Sequence, residues 1–236
     1  MKLFFLIYFF FLSLIAFPGN DSIRYEVGIA DVASSGEFAP FWLQHNRYGK
    51  ISPSPSSGMI SGAIEKKFDK PHKLFDYGFK ANALVRYDSN KNLDIFFQEL
   101  YAKARFSVFN LSVGAREQIF GNQDSTLSSG GLLFSENSRP MPEISAGIER
   151  FTPVPLTFGM VEIKGGLRHA LFTDNIYTKG ILLHHKFGYL RMGGKLPVHL
   201  EYGIEHAAQW GGTDPVHGPN PSGFKNFTRI FRAESG

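Results

Sequence analysis

Phe75-Asp76-Tyr77-Gly78-Phe79-Lys80-Ala81-Asn82-Ala83-Leu84-Val85-Arg86-Tyr87-Asp88 is the stretch whose reading decides the fold. Side chains alternate sides along a β-strand, so the odd positions form one face and the even positions the other. The odd face is Phe, Tyr, Phe, Ala, Ala, Val, Tyr: apolar throughout, aromatic at both ends and small in the middle. The even face carries Asp76, Lys80, Asn82, Arg86 and Asp88. A strand that crosses a bilayer needs about ten residues, an apolar outward face and aromatic girdles at the two interfaces. This segment meets all three conditions.

The neighbouring segment, 99–108, repeats the pattern. Leu100, Ala102, Ala104, Phe106 and Val108 share one face, and Glu99, Tyr101, Lys103, Arg105 and Ser107 the other. Ionised Lys103 and Arg105 are costly in hydrocarbon but stable against a wet or salt-bridged interior with acidic neighbours. Phe109-Asn110 interrupts the alternation and predicts a hairpin. After it Leu111, Val113 and Ala115 resume opposite Ser112, Gly114 and Arg116. Lys80, Arg86, Glu99, Lys103, Arg105 and Arg116 are thus the expected inward polar groups. Further strands are expected at 59–68, 144–151, 180–192 and 197–208, for about eight to ten in all.

Three irregular stretches separate them: 34–57 with its SPSPSSG run, 121–142, and 211–223, all too rich in Gly, Pro and Ser for strand cores. In a barrel the longer loops face the exterior, which makes them candidates for ligand contact. A soluble antiparallel sandwich also alternates. Its strands average five or six residues, however, and it has no reason to pair aromatic ends with a small middle. The expected fold is therefore all-β, an antiparallel transmembrane barrel of the outer membrane.

The beginning of the chain agrees with export. Lys2 precedes an uncharged apolar run at 3–17 (LFFLIYFFFLSLIAF), broken by Pro18 and Gly19. These are the parts of a secretory signal. As a helix the run would span roughly 22 Å, short of the roughly 30 Å of hydrocarbon a permanent anchor crosses. Removal is preferred to a retained inner-membrane anchor, with cleavage between Ala16 and Asp21. The chain then divides into a signal at 1–19 and a barrel domain at 20–236. No closing amphipathic strand ends the sequence, so the domain reads as an incomplete portion of a larger barrel.

Composition narrows the function. The 236 residues include 24 Phe, 9 Tyr, 2 Trp, 25 Gly and 13 Pro, a mixture that favours strands and tight turns. There is no cysteine, which removes disulfides, thiolate metal sites and a cysteine nucleophile. The formal charge of +4 is dispersed, without a basic block interleaved with aromatics, so nucleic acid is not an expected partner. No G-x-S-x-G elbow and no H-E-x-x-H helix is present. No catalytic residue and no cofactor is expected. His184 and His185 are adjacent and face opposite sides of a strand. His199, Glu201 and Glu205 share a face but need further ligands, so no metal is expected.

Two loop stretches, 38–49 (FAPFWLQHNRYG) and 127–144 (LSSGGLLFSENSRPMPEI), resemble the capsule-assembly Wzi family of Bacteroidetes-type bacteria. The likeness runs from about Tyr25 onward and covers the N-terminal portion of a usual member. It implies a monomeric outer-membrane barrel of about eighteen strands, surrounded by outer-membrane lipid, that holds capsular or other surface polysaccharide as a lectin and not as an enzyme. The compact periplasmic helical bundle of the best-known branch is not recognisable here.

The resemblance directs attention to Trp42, Gln44, Asn46, Arg47 and Tyr48, and to Glu136, Asn137 and Arg139. An aromatic platform beside amide and guanidinium donors suits sugar rings. The same residues equally suit a turn or plug packed on the interior. Arg139 could grip an acidic sugar through paired hydrogen bonds, or pair with Glu136, Glu143 or a lumen carboxylate; packing is the preferred role in both motifs. The functional expectation is attachment or assembly of surface polysaccharide. A porin-like or transport barrel for small solutes or saccharides is the alternative, motivated by the charged inward face.

Overall fold

The structure is a computed structural model that describes residues 9–16, 23–69, 73–123, 127–128, 130–131, 133–173 and 178–234. At 54% strand and 6% helix the protein is all-β. The long strands are β1 (Phe9–Ala16), β2 (Ile23–Ala33), β3 (Ser56–Lys66), β4 (Phe75–Asp88), β5 (Leu93–Phe106), β6 (Phe109–Ala115), β7 (Pro142–Pro153), β8 (Val161–Leu171), β9 (Leu182–Met192) and β10 (Leu200–Trp210). A two-stranded ribbon, β11 (Thr213–Asp214) and β12 (Gly218–Pro219), and two helices, α1 (Phe41–Gln44) and α2 (Phe224–Phe231), complete the elements. β2 to β10 form one antiparallel sheet, and among the described residues no pairing closes it on itself.

Within the expected leader, Phe9–Ala16 is not helical: it runs as β1, antiparallel to β2, with Phe9 opposite Val32 and Ala16 opposite Tyr25. Most of the expected cleavage region lies outside the described residues.

The chain divides into two compact units. The first comprises Met1–Asp69, Tyr77–Ala102 and Ala115–Pro140; the second comprises Lys70–Asp76, Lys103–Gly114 and Met141–Gly236.

In the first unit, register stacks apolar residues into continuous rows: Ile29–Ile60–Val85, Val27–Gly62–Ala83 and Tyr25–Ile64–Ala81. This face is open, with Tyr25 53%, Ile60 57% and Tyr87 53% exposed. The opposite face buries Glu65, Leu84, Asp88, Gln98 and Glu99. A water-soluble protein does the reverse. β4 follows the expected parity at both ends, with Asp76, Gly78, Leu84 and Asp88 buried and Phe75, Tyr77, Ala83, Val85 and Tyr87 exposed, while 79–82 are all half-buried. β5 starts earlier than expected and changes phase: Leu93, Ile95 and Phe97 are exposed, then Gln98 and Glu99 are both buried, and Leu100 and Ala102 are exposed. One extra residue at that point, as in a β-bulge, flips which parity faces outward.

Residues 34–55, expected to be irregular, are irregular but packed. Ala39 and Ile51 bury against Val32, with Leu43 and Met59 beside them. The hydroxyls of Ser52 and Ser54, both buried, each donate to Asp88 Oδ2 at 2.9 Å. The Ser/Pro run is therefore shaped by one carboxylate.

In the second unit the hairpin falls at Ser107-Val108, two residues before the expected Phe109-Asn110. Ser107 accepts a left-handed φ of 57°, and its amide donates to the Leu74 carbonyl at 2.6 Å. Phe109, Leu111 and Val113 face outward while Ser112 is buried. β8 is a strand that the alternation did not reveal, because Gly165-Gly166 interrupts it. At Gly147 a Cβ would lie 2.4 Å from the Gly165 carbonyl oxygen, so β7 and β8 approach there as only glycine permits. Such glycine positions bend a sheet. The short helix α2, also unexpected, lays Phe227 and Phe231 on the outward face, against His169, His184 and Trp210.

Candidate functional site

The two stretches singled out by resemblance meet in the first unit. α1 turns the chain after Pro40, and the Gln44 side chain closes the turn by donating to the Ala39 carbonyl at 2.7 Å. Asn46, Tyr48 and Gly49 then take left-handed φ angles of 55°, 52° and 66°. This coil turns successive backbone amides toward the second stretch. Asn46 N–H donates to Asn137 Oδ1 at 2.9 Å, Asn46 Nδ2 to the Ser128 carbonyl at 3.3 Å, and Tyr48 N–H to the Glu136 carbonyl at 2.7 Å. A Cβ on Gly49 would sit 3.1 Å from the Arg139 backbone nitrogen, so glycine favours this contact twice over, for space and for φ.

Polar and charged groups of the sheet and its connections hold the docked pair from below. Gln98, fully buried, donates through Nε2 to the Tyr48 carbonyl at 3.0 Å and to Glu117 Oε1 at 2.7 Å. Lys50 Nζ reaches the same carboxylate at 2.7 Å. Arg86 donates to the carbonyls of Gly49 and Lys50 at 3.0 and 3.1 Å and pairs with Asp94. Glu99 accepts from the Glu117 amide at 3.1 Å and pairs with Lys80. Burial, and then the Glu136 carboxylate that its hydroxyl meets, hold the Tyr48 phenol well above its ordinary pKa.

The eight sequence-predicted contact residues thus separate. Gln44, Asn46, Tyr48 and the buried Glu136 are engaged in loop packing, and Asn137 accepts from Asn46. Trp42 is 69% exposed, beside the equally open Phe41, and Arg47 is exposed. Arg139 places its guanidinium 3.8 Å over the Phe96 ring and donates to the Phe97 carbonyl at 3.3 Å. Glu143, one of its expected acidic partners, pairs instead with Arg168. Residues Ser129 and Leu132 of the second stretch lie outside the described residues. Sequence reasoning missed Lys50, Gln98 and Glu117. Nothing local marks them, since they earn their roles only once the loops fold back on β5.

The six groups expected to point inward are covered to different degrees. Lys80, Arg86 and Arg105 are largely covered and Glu99 is buried, while Lys103 and Arg116 are half-buried. Arg116 donates to Gln118 Oε1 at 2.6 Å. In the second unit Arg105 pairs with the buried Asp76 at 3.2 Å, and Arg191 pairs with Glu201 at 2.6 Å while covering the Phe151 ring at 3.7 Å. His184 and His185 do face opposite sides: His184 Nδ1 lies 3.1 Å from His169 Nε2 and His185 Nε2 lies 3.3 Å from Glu205 Oε2. His199 sits before β10 and approaches the Gly194 carbonyl, apart from Glu201 and Glu205. Among the described residues no group of three or more His, Asp or Glu side chains is placed to hold a metal ion.

Comparisons with protein-family models, with curated proteins and with solved structures find no match to this chain.

Proposed function

We propose that this chain forms part of an outer-membrane β-barrel that attaches or helps assemble capsular or other surface polysaccharide, without catalysing a reaction. The observation that carries the reading is an inverted sheet, open on its apolar side, whose buried charged side is capped by two mutually docked loops. Apolar rows with aromatic ends suit lipid, and a charged inner face suits a barrel interior. Glycine positions such as Gly147 supply the bending a barrel needs. Long connections follow β2, β6 and β8 and a short turn follows β4, whereas those after β3, β5, β7 and β9 are all short. In an antiparallel sheet these sets fall at opposite ends, the arrangement of long exterior loops and short periplasmic turns.

On this reading the docked pair, 38–49 with 127–140, forms an exterior platform. Trp42, Arg47, Asn137 and Arg139 are its open groups, and the buried network beneath fixes their backbone. The likeness of these loops to the Wzi family supports polysaccharide as the ligand class. Deleting the full-length protein is expected to leave polymer synthesis intact while more polymer is released from the cells. Unchanged retention overturns the proposal.

The charged inner face also supports a second reading, a transport barrel for small solutes or saccharides. The hydrogen bonds that tie Tyr48, Gly49 and Lys50 to Gln98 and Arg86 weigh against an open path in the first unit. Steady single-channel conductance through the purified full-length protein would favour transport; a silent barrel favours attachment.

A further inference from the structure

The second unit holds a cavity of about 480 Å³ that the loop platform does not include. That volume is within the roughly 300–1,000 Å³ typical of small-molecule sites. Its wall combines an indole (Trp210), two carboxamides (Asn220, Asn226), a carboxylate (Asp214), an imidazole (His217) and a guanidinium (Arg229).

The frame around it is built by hydrogen bonds. Lys179 and Thr213 exchange backbone bonds at 3.0 and 2.8 Å, tying the connection after β8 to the one after β10. Gly212 makes that approach possible: at φ 69° a Cβ would lie 2.5 Å from the Lys179 carbonyl oxygen. Asp214 Oδ1 accepts from the amides of Val216 and His217, both at 2.8 Å. Asn220 Nδ2 donates to the Gly211 carbonyl at 3.1 Å and Asn226 Nδ2 to the Ser222 carbonyl at 2.6 Å, so each carboxamide is fixed in direction by one of its own hydrogens. Trp210 is packed against Phe227, with ring centroids 6.0 Å apart. A flat aromatic wall beside fixed amides and both signs of charge is the chemistry that recognises a sugar ring, whose C–H face stacks while its hydroxyls exchange hydrogen bonds.

We propose that this cavity, at the loop end of β10 where Trp210 is the last strand residue, is a second saccharide site, which takes one or two sugar units of the surface polymer between Trp210, the Asp214–His217 turn and α2. The proposal rests on the polysaccharide reading above and adds a site to it. Two sites on one protein would hold a long chain by multivalency, each binding weakly alone.

The two tryptophans allow a direct test. Trp42→Phe leaves Trp210 as the reporter, and Trp210→Phe leaves Trp42. Each variant is made in the full-length protein with every tryptophan outside these 236 residues replaced by Phe, purified in detergent and titrated with oligosaccharide fragments prepared from the cell's own surface polysaccharide, alongside co-sedimentation of wild type with intact polymer. The expected result is a saturable fluorescence change in Trp42→Phe. Adding His217→Ala, or Gln209→Ala at a residue that also lines the cavity, should weaken it about tenfold, the loss of roughly one polar contact. Polymer binding by wild type with no response from Trp210 overturns the cavity proposal and leaves the polysaccharide reading standing. Absence of polymer binding by wild type overturns both.

Discussion

The backbone amide of Tyr48 donates to the carbonyl of Glu136 at 2.7 Å, joining two loops that enter the sheet from different hairpins. Around it Asn46 meets Asn137 across 91 positions of sequence. Replacing Asn137 with Ala removes an acceptor for the Asn46 amide and is expected to cost about 1 kcal/mol. Gly49→Ala forces a Cβ against Arg139 in a left-handed conformation and is expected to cost about 1–3 kcal/mol. Limited proteolysis of the folded protein checks both: cleavage within 38–50 should accelerate modestly in the first variant and strongly in the second, with the strands intact.

The Tyr48 phenol gives the docked loops a pH dependence. Its folded pKa is raised above the ordinary 10.0, by burial first and then by Glu136. A raised pKa means the folded state keeps a proton that the unfolded state releases. The associated stability is therefore complete below about pH 10 and is lost as the pH rises beyond it. Protease protection of 38–50 is expected to fall between neutral pH and strongly alkaline pH, and Tyr48→Phe should flatten that fall. An identical fall in the variant would assign the effect to another group.

Arg168 and Glu143 form a buried pair in the second unit, with side chains 8% and 1% exposed. Glu143→Gln leaves the guanidinium without its countercharge and is expected to destabilise by about 3–5 kcal/mol. Removing both charges in Glu143→Gln with Arg168→Met should restore most of the loss. Unfolding of the three proteins in the same detergent decides it; additive losses would contradict the pairing.

Much of the sheet was legible in the sequence. Along Phe75–Asp88 every odd residue is apolar and every even one but Gly78 and Leu84 is polar, so the faces follow from period two alone. The same alternation in β2, Tyr25, Val27 and Ile29 against Glu26, went unassigned beside the leader. β8 is hidden by Gly165-Gly166, a turn signal by composition that instead serves close strand approach. α2 occupies only eight residues, too few for a helical period to stand out. The phase change at Gln98-Glu99 and the docking of 38–49 on 127–140 depend on register and on backbone hydrogen bonds, which residue identity does not encode locally. For that reason the loop residues could be named while their separation into packed and open groups could not.

An outward site in the middle of β4 distinguishes lipid from water as the medium of the apolar face. Ala83→Arg is expected to cost roughly 2–4 kcal/mol of folding into lipid vesicles if Ala83 faces the bilayer centre. On a water-exposed sheet the same change would stay within about 0.5 kcal/mol.

The most direct test of the account is cysteine scanning of β4 in the full-length protein reconstituted in vesicles, with any cysteine outside these 236 residues replaced by Ser, since the 236 themselves contain none. Single cysteines at positions 81 to 86 carry a fluorophore challenged with a lipid-soluble quencher. The account predicts strict alternation, with positions 81, 83 and 85 quenched from lipid and 82, 84 and 86 protected. Protection of both sets, or quenching of the odd set by a water-soluble agent alone, would contradict it.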